Sequence, residues 1–414
     1  MTMTMELSSE LVTREVVRDR VFQHFPHLWP AVEAGLSTCA TLLLSDNVNP
    51  VALSYVGPPS AGKTTVVSMF DGATVNGQPI CYRSDMFTPA AFVSQSARAN
   101  DEQLAKIDLL PRIKHKVLLT PELSTIFRGK QDELAVAFSR ITRVLDGQGL
   151  KTDSGTHGQR GYEGDYLFAW LGATTPFDPV VWKVMAQLGS RMFFLVMDAV
   201  AAPTVEELVT AHTQPVPFKE GLNQCQGAVQ RFLARVFAQH QGVRAVTWNT
   251  TENLPKVLEG IARCATLLAL MRTQYEAATP AQPESPHRAN AVLYNLARGH
   301  ALICGRSQLT PDDLPMIAQV TLSSMPERRR AVLLAFAKNG GEPLTVSQVE
   351  SAAGVSRKTA GQYMDEMHWL GLATFEAEGT GKASHLVLKP EWAWCMGEDF
   401  VPLLLRCGLV EIRG

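Results

Sequence analysis

The 414-residue sequence predicts an α/β fold: a parallel sheet covered by helices, then a helical lid and a small C-terminal unit. Three observations carry that prediction. Gly57-Pro58-Pro59-Ser60-Ala61-Gly62-Lys63-Thr64 completes the phosphate-loop pattern G-x-x-x-x-G-K-[ST] between an apolar strand-like run, Val51-Ala52-Leu53-Ser54-Tyr55-Val56, and a helical continuation, Val66-Val67-Ser68-Met69-Phe70. Short β-rich runs then alternate with helical segments to about residue 200, the rhythm of parallel strands joined by helical crossovers. From about 203 the pattern is almost wholly helical, and from about 325 it reads helix, short helix, Gly turn, helix and hairpin.

Composition bounds the function without choosing it. A hydrophobic fraction of 46% over this length fills several cores, and a formal charge of −2 leaves any nucleic-acid contact to local patches. The seven cysteines (Cys39, Cys81, Cys225, Cys264, Cys304, Cys395, Cys407) form no C-x-x-C pair, which fits a reduced cytoplasmic protein with buried thiols. No basic-then-apolar leader opens the chain, and the apolar stretch Ile261 to Met271 is broken by Arg263 and too short to span a bilayer. The ten histidines show no ligand spacing, so no structural zinc is expected.

In chain order, residues 1–48 read as a helical segment, with apolar spacing at Leu11-Val12, Val16-Val17 and Val32 to Leu44. Residues 49–202 form the nucleotide-binding core, with strands expected at Val51–Val56, Val117–Leu119, Leu167–Leu171 and Met192–Met197. Residues 203–324 form the lid, broken by the Pro-rich run Thr279 to Pro286, and residues 325–414 form the C-terminal domain.

The chemistry of the loop follows from its residue types. Glycines let backbone N–H groups close around phosphate oxygens, Lys63 reaches the β- and γ-phosphates, and Thr64 places its hydroxyl on Mg²⁺. Gly57, Pro58, Pro59, Ser60, Ala61, Gly62, Lys63, Thr64 and Thr65 are therefore the nucleotide-binding residues, Thr65 packing or capping the helix. A hydrolytic site also needs a carboxylate to polarise water. Lys116 to Glu122 offers Glu122 at a strand end as the catalytic carboxylate, the lesser alternative being a favourable first-turn helix position. Pro121 stands where an Asp would support the metal. Ala169 to Pro176 reads as a further core strand ending in hydroxyls, and Arg191 immediately precedes the buried run Met192 to Met197.

Together these segments resemble AAA+ ATPases of the minichromosome maintenance and magnesium-chelatase branch. The resemblance covers roughly residues 50–320 and extends to a C-terminal winged helix. It implies ATP with Mg²⁺, a homo-oligomer, and an arginine finger acting on a neighbouring subunit. Ser190-Arg191-Met192-Phe193 takes the place of the family's Ser-Arg-Phe-Asp-like run, pointing to Arg191 as the finger. Thr174-Thr175-Pro176 matches Ala-Asn-Pro, with Thr175 as the γ-phosphate sensor. Arg288, ahead of Leu296-Ala297-Arg298-Gly299-His300-Ala301, takes the second sensor position. Pro121 and Thr175 both depart from the family pattern, so hydrolysis is slow or another carboxylate, Asp85 or Asp108, supports the metal.

The Gly-rich run Leu150 to Tyr166 reads as a hairpin or an ordinary loop. In the resembled branch a hairpin here contacts DNA, so Lys151, His157 and Arg160 would grip phosphates and Tyr162 would stack on a base. Arg160 and Arg143 would otherwise line the nucleotide site between subunits. Residues 343–364 have helix-turn-helix character: Gly354 makes the turn, Ser356 caps the second helix, and Arg357, Lys358 and Gln362 face a DNA groove. A two-stranded wing follows at 372–389, tipped by Gly379-Thr380-Gly381-Lys382, with Lys382 on the backbone. The expectation is an ATP-hydrolysing oligomer acting on DNA, with no membrane role. Its rivals are a non-hydrolysing nucleotide switch that binds DNA, and a signalling scaffold whose winged helix docks a protein.

Overall fold

The computed structural model describes residues 12–94, 101–154, 158–189, 191–197, 205–206, 209, 216–275, 280–377 and 384–406. Five parallel strands form the central sheet: β1 (Val51–Val56), β4 (Cys81–Arg83), β5 (Val117–Thr120), β8 (Ala169–Thr174) and β9 (Met192–Val196), in the order β4-β5-β8-β1-β9. β1, β5 and β8 are buried at every position, as continuous apolar strands must be when helices cover both faces.

Alternation along each strand divides the side chains between two cores. Val51, Leu53 and Tyr55 of β1 join Phe193 and Leu195 of β9 on one face. Here α2 (Trp29–Ala40) and α3 (Lys63–Met69) pack, together with the helices Phe218–Gln239, Pro255–Arg272 and His287–Ile303. Ala52 and Val56 face the other way, into a second core with α5 (Leu109–Ile113), α6 (Gln131–Val144) and α7 (Pro179–Leu188). α2 is buried nearly all round, and Tyr55 donates its hydroxyl to the Ala31 carbonyl at 2.9 Å, so the N-terminal helices reach the sheet itself. α1 (Arg14–His24) lies outside α2 and packs on the Phe218 helix.

Three strands escape the sequence reading. β2 (Thr74–Val75) and β3 (Gln78–Pro79) make a small hairpin, and β4 forms the sheet edge. Each is too short to show a period. Phe87 and Phe92, in a segment without assignable chemistry, stack on Trp170 at 5.7 and 6.2 Å and serve the second core.

Beyond the helix Leu314–Ser323 come the helices Glu327–Lys338, Val346–Ala353 and Arg357–Trp369, then β10 (Ala373–Ala377) paired antiparallel with β11 (Ser384–Leu388). Gly354 turns the chain at φ 63°, and Ser356 accepts from the Thr359 N–H as expected of a cap. In the run Glu327-Arg328-Arg329-Arg330, which opens the first of these helices, Glu327 and Arg328 are exposed and Arg329 is buried. Arg329 is 3% exposed and donates to Glu366 at 2.8 Å and to the carbonyls of Met271 and Thr273, fixing this segment to the end of the Pro255 helix.

Candidate active site

Strand register decides which residues share an edge of the sheet. Ser54, Gly172 and Thr120 are level across β1, β8 and β5. The chain leaves these strands at the same end, so Gly57, Thr175 and Glu122 emerge together. The loop from Gly57 to Gly62 carries left-handed backbone at Ser60, φ 68°, and Gly62, φ 81°, which turns successive amides inward. Lys63 lies folded under the loop, with its ammonium donating to the Pro58 carbonyl at 2.6 Å. Burial lowers the Lys63 pKa, and the charge of Glu122 opposes that shift. Thr64 is exposed at the first turn of α3 while Thr65 is half-buried.

Thr174 is 2% exposed and donates to the Thr175 carbonyl at 3.1 Å, leaving Thr175 half-buried at the mouth of β8, between the loop strand and β5. Glu122 is exposed, and its carboxylate accepts from the Ser124 N–H at 2.9 Å. Pro121 is buried and supplies no oxygen from its side chain. Of the two alternative carboxylates, Asp85 follows β4 at the loop edge and pairs with Arg83 at 2.6 Å. Asp108 is 2% exposed and accepts from the Ser94 N–H and the Tyr162 hydroxyl, both at 2.8 Å, so it is committed elsewhere. Among the described residues no three His, Cys, Asp or Glu side chains converge as a metal site.

Arg191 and Arg288 stand at the other end of the sheet. Met192 pairs with Ala52, which puts Arg191 level with Val51, at the start of β1. Six residues of strand, ~20 Å at ~3.3 Å each, separate Val51 from Gly57, so Arg191 cannot reach the nucleotide of its own chain. Arg288 lies at this far edge too, with one guanidinium nitrogen 3.5 Å from the Asn49 carboxamide. Arg191 and Arg288 meet at Asp146: the Arg191 Nε is 2.9 Å and the Arg288 Nη1 2.8 Å from its Oδ1. Arg143 approaches the Asp146 Oδ2 at 3.5 Å. Burial lowers the Arg288 pKa, and repulsion from Arg191 adds to it. Burial raises the Glu284 pKa against the pull of Arg272, Arg191 and Arg288. Asp146 escaped the sequence reading because an Asp-Gly pair after an amphipathic helix signals only a turn.

The predicted insert is the hairpin β6 (Gly149–Ser154) and β7 (Gly158–Glu163). Lys151 is exposed and paired with Glu163. Arg160 is half-buried, and its Nε finds no hydrogen-bond partner among the described residues. Tyr162 is corrected: half-buried, bonded to Asp108 and packed 5.6 Å from Tyr166, it is part of the hairpin's base and not a stacking platform. In the helix Arg357–Trp369, Ala360, Met364 and Met367 are buried while Arg357, Lys358 and Gln362 are exposed. Phe400 is buried in the core, and Trp392 and Trp394 are partly buried against it. His157, Ser190, Lys382 and Cys407 lie outside the described residues.

Among the described residues no helix is long and apolar enough to cross a membrane. No curated protein matches this chain. Residues 284–333, which hold Arg288, match the AAA lid domain family. That match, beside a five-stranded parallel sheet with a phosphate-loop pattern at the end of β1, supports reading the chain as an AAA+ ATPase, a class that binds ATP with Mg²⁺ and typically oligomerises.

Proposed function

We propose that the chain hydrolyses ATP in a head-to-tail homo-oligomer that acts on DNA. The observation that carries this reading is the placement of Arg191 and Arg288 at the edge of the sheet opposite the phosphate loop of the same chain. Stacking protomers with one edge against the next brings each arginine pair to a neighbour's loop, the heterologous contact that closes into rings. Lys63 and the loop amides would bind the triphosphate, Thr64 would hold Mg²⁺, Glu122 would take the proton of the attacking water, and Thr175 would read the γ-phosphate. Mg²⁺, when bound, neutralises charge on the phosphate oxygens. Arg191 and Arg288 would stabilise the charge that develops as the terminal phosphate leaves.

The DNA side of the proposal rests on two surfaces. The C-terminal helices and hairpin have the order of a winged helix, and Arg357, Lys358 and Gln362 are exposed together on its second helix. Lys151 is exposed on the β6–β7 hairpin. One observation favours a second reading, a nucleotide-switched DNA-binding regulator without turnover: Pro121 denies the metal a protein carboxylate from β5. Phosphate release with and without DNA separates the two. We expect turnover that Lys63→Ala abolishes; turnover no higher than in Lys63→Ala leaves the switch. DNA binding that weakens steeply with salt, with a slope reduced by about 2 in Arg357→Ala/Lys358→Ala, is expected of two phosphate contacts. An unchanged slope removes the winged-helix contact.

A further inference from the structure

We infer that Asp146 is a positioning residue that holds the two arginines presented to a neighbour's nucleotide as one unit. The inference deepens the proposed intersubunit site and depends on it. Three guanidinium groups reach this carboxylate from separate parts of the fold: Arg143 from α6, Arg191 from the segment before β9, and Arg288 from the first turn of the helix His287–Ile303. Like charges brought this close repel, and burial adds a desolvation cost. A single shared anion resolves both, because one oxygen of Asp146 accepts from Arg191 at 2.9 Å and Arg288 at 2.8 Å.

The mount of Asp146 is held by hydrogen bonds on both sides and by close packing at Gly147. Its N–H donates to the Arg143 carbonyl at 3.2 Å, and the Gly147 N–H donates to Val144 at 3.1 Å. Gly147 adopts φ 74° and lies so close to the segment before β1 that a Cβ there would be 2.3 Å from the Val48 carbonyl oxygen. The Tyr166 N–H closes the base of the β6–β7 hairpin on the Gly147 carbonyl at 2.8 Å. Arg191 is fixed further by donating to the carbonyls of Leu188 at 3.0 Å and Gly189 at 2.7 Å. One carboxylate against three arginines, with Glu284 nearby, leaves the cluster with surplus positive charge. An incoming phosphate is the complementary partner, and the geometry of both donors is set before it arrives.

The test uses the full chain. In Asp146→Ala the arginines lose their common anchor, and kcat for ATP falls by about 10- to 100-fold, the cost of a displacement near 1 Å. KM for ATP stays within about twofold, since each chain's own loop binds the substrate. Mixing Asp146→Ala with Lys63→Ala restores turnover: the Lys63→Ala subunits keep an intact arginine pair and serve the Asp146→Ala subunits' loops. A purely structural defect gains nothing from mixing. The inference is overturned if Asp146→Ala keeps kcat within about twofold of wild type, or if folded Asp146→Ala is not rescued, while Arg191→Ala and Lys63→Ala complement each other. If that last pair also fails to complement, the shared intersubunit site itself is removed. Should Asp146→Ala not fold, Asp146→Asn, which keeps the shape and drops the charge, carries the same expectations.

Discussion

Gly57→Ala tests the nucleotide loop at the point where it leaves the sheet. A Cβ built on Gly57 would stand 2.3 Å from the Met197 carbonyl oxygen, well inside the 3.0 Å that such carbons keep. The obstacle is backbone, so no rotamer relieves it. The end of β1 and the residue after β9 must separate by about 0.7–1 Å, which stretches the Met197 N–H to Val56 carbonyl bond, now 2.7 Å; on the other side of β1 the Gly57 N–H to Thr174 carbonyl bond, now 3.3 Å, is not lengthened by this movement. At about 1 kcal/mol for a weakened buried hydrogen bond, the loss is about 1 kcal/mol, or about 5-fold if it falls wholly on the loop's closed form. Calorimetric titration of ATP with Mg²⁺ into wild type and Gly57→Ala measures that factor. Gly361→Ala is the control: a Cβ there meets nothing within 4 Å, and ATP affinity should not change. If Gly57→Ala binds ATP within twofold of wild type, the loop does not form the phosphate cradle argued above.

Two further predictions concern the frame around the site. Arg329→Met removes the buried partner of Glu366 and leaves the Met271 and Thr273 carbonyls without their donor, which should cost about 3–5 kcal/mol in urea unfolding; a loss below about 1 kcal/mol would show that Arg328, 2.7 Å from the other Glu366 oxygen, suffices. His300 is 5% exposed; burial works to lower its pKa, yet hydrogen bonds to Asp313 at 2.6 Å, Cys304 and Glu33 prevail and hold it well above the usual histidine range. A pKa raised in the fold stabilises the fold fully below the unfolded value, about 6.5, and that stabilisation fades as pH climbs through the folded value. The gap in unfolding free energy between wild type and His300→Gln should therefore be widest near about pH 6 and narrow at alkaline pH; a gap that widens with pH would contradict the charged histidine.

The sequence alone determined the elements that local physics dictates. Uninterrupted apolar runs specified β1, β5, β8 and β9 to within two or three residues, and the loop pattern marked its strand and helix, because both signals are carried by neighbouring positions. The cap at Ser356 and the turn at Gly354 were legible for the same reason. What only the tertiary structure decided is where distant charges meet. Arg143, Arg191 and Arg288 are far apart in sequence, and nothing in their neighbours marks Asp146 as their shared anchor. Arg329 sits in a run of charged residues, and its buried partner Glu366 lies on another helix. Tyr162 looks free in a Gly-rich stretch until the hairpin's fold lays it against Asp108. Strand register settles which residues share an edge of the sheet, and register is a property of pairing across the chain, invisible to any window read along it.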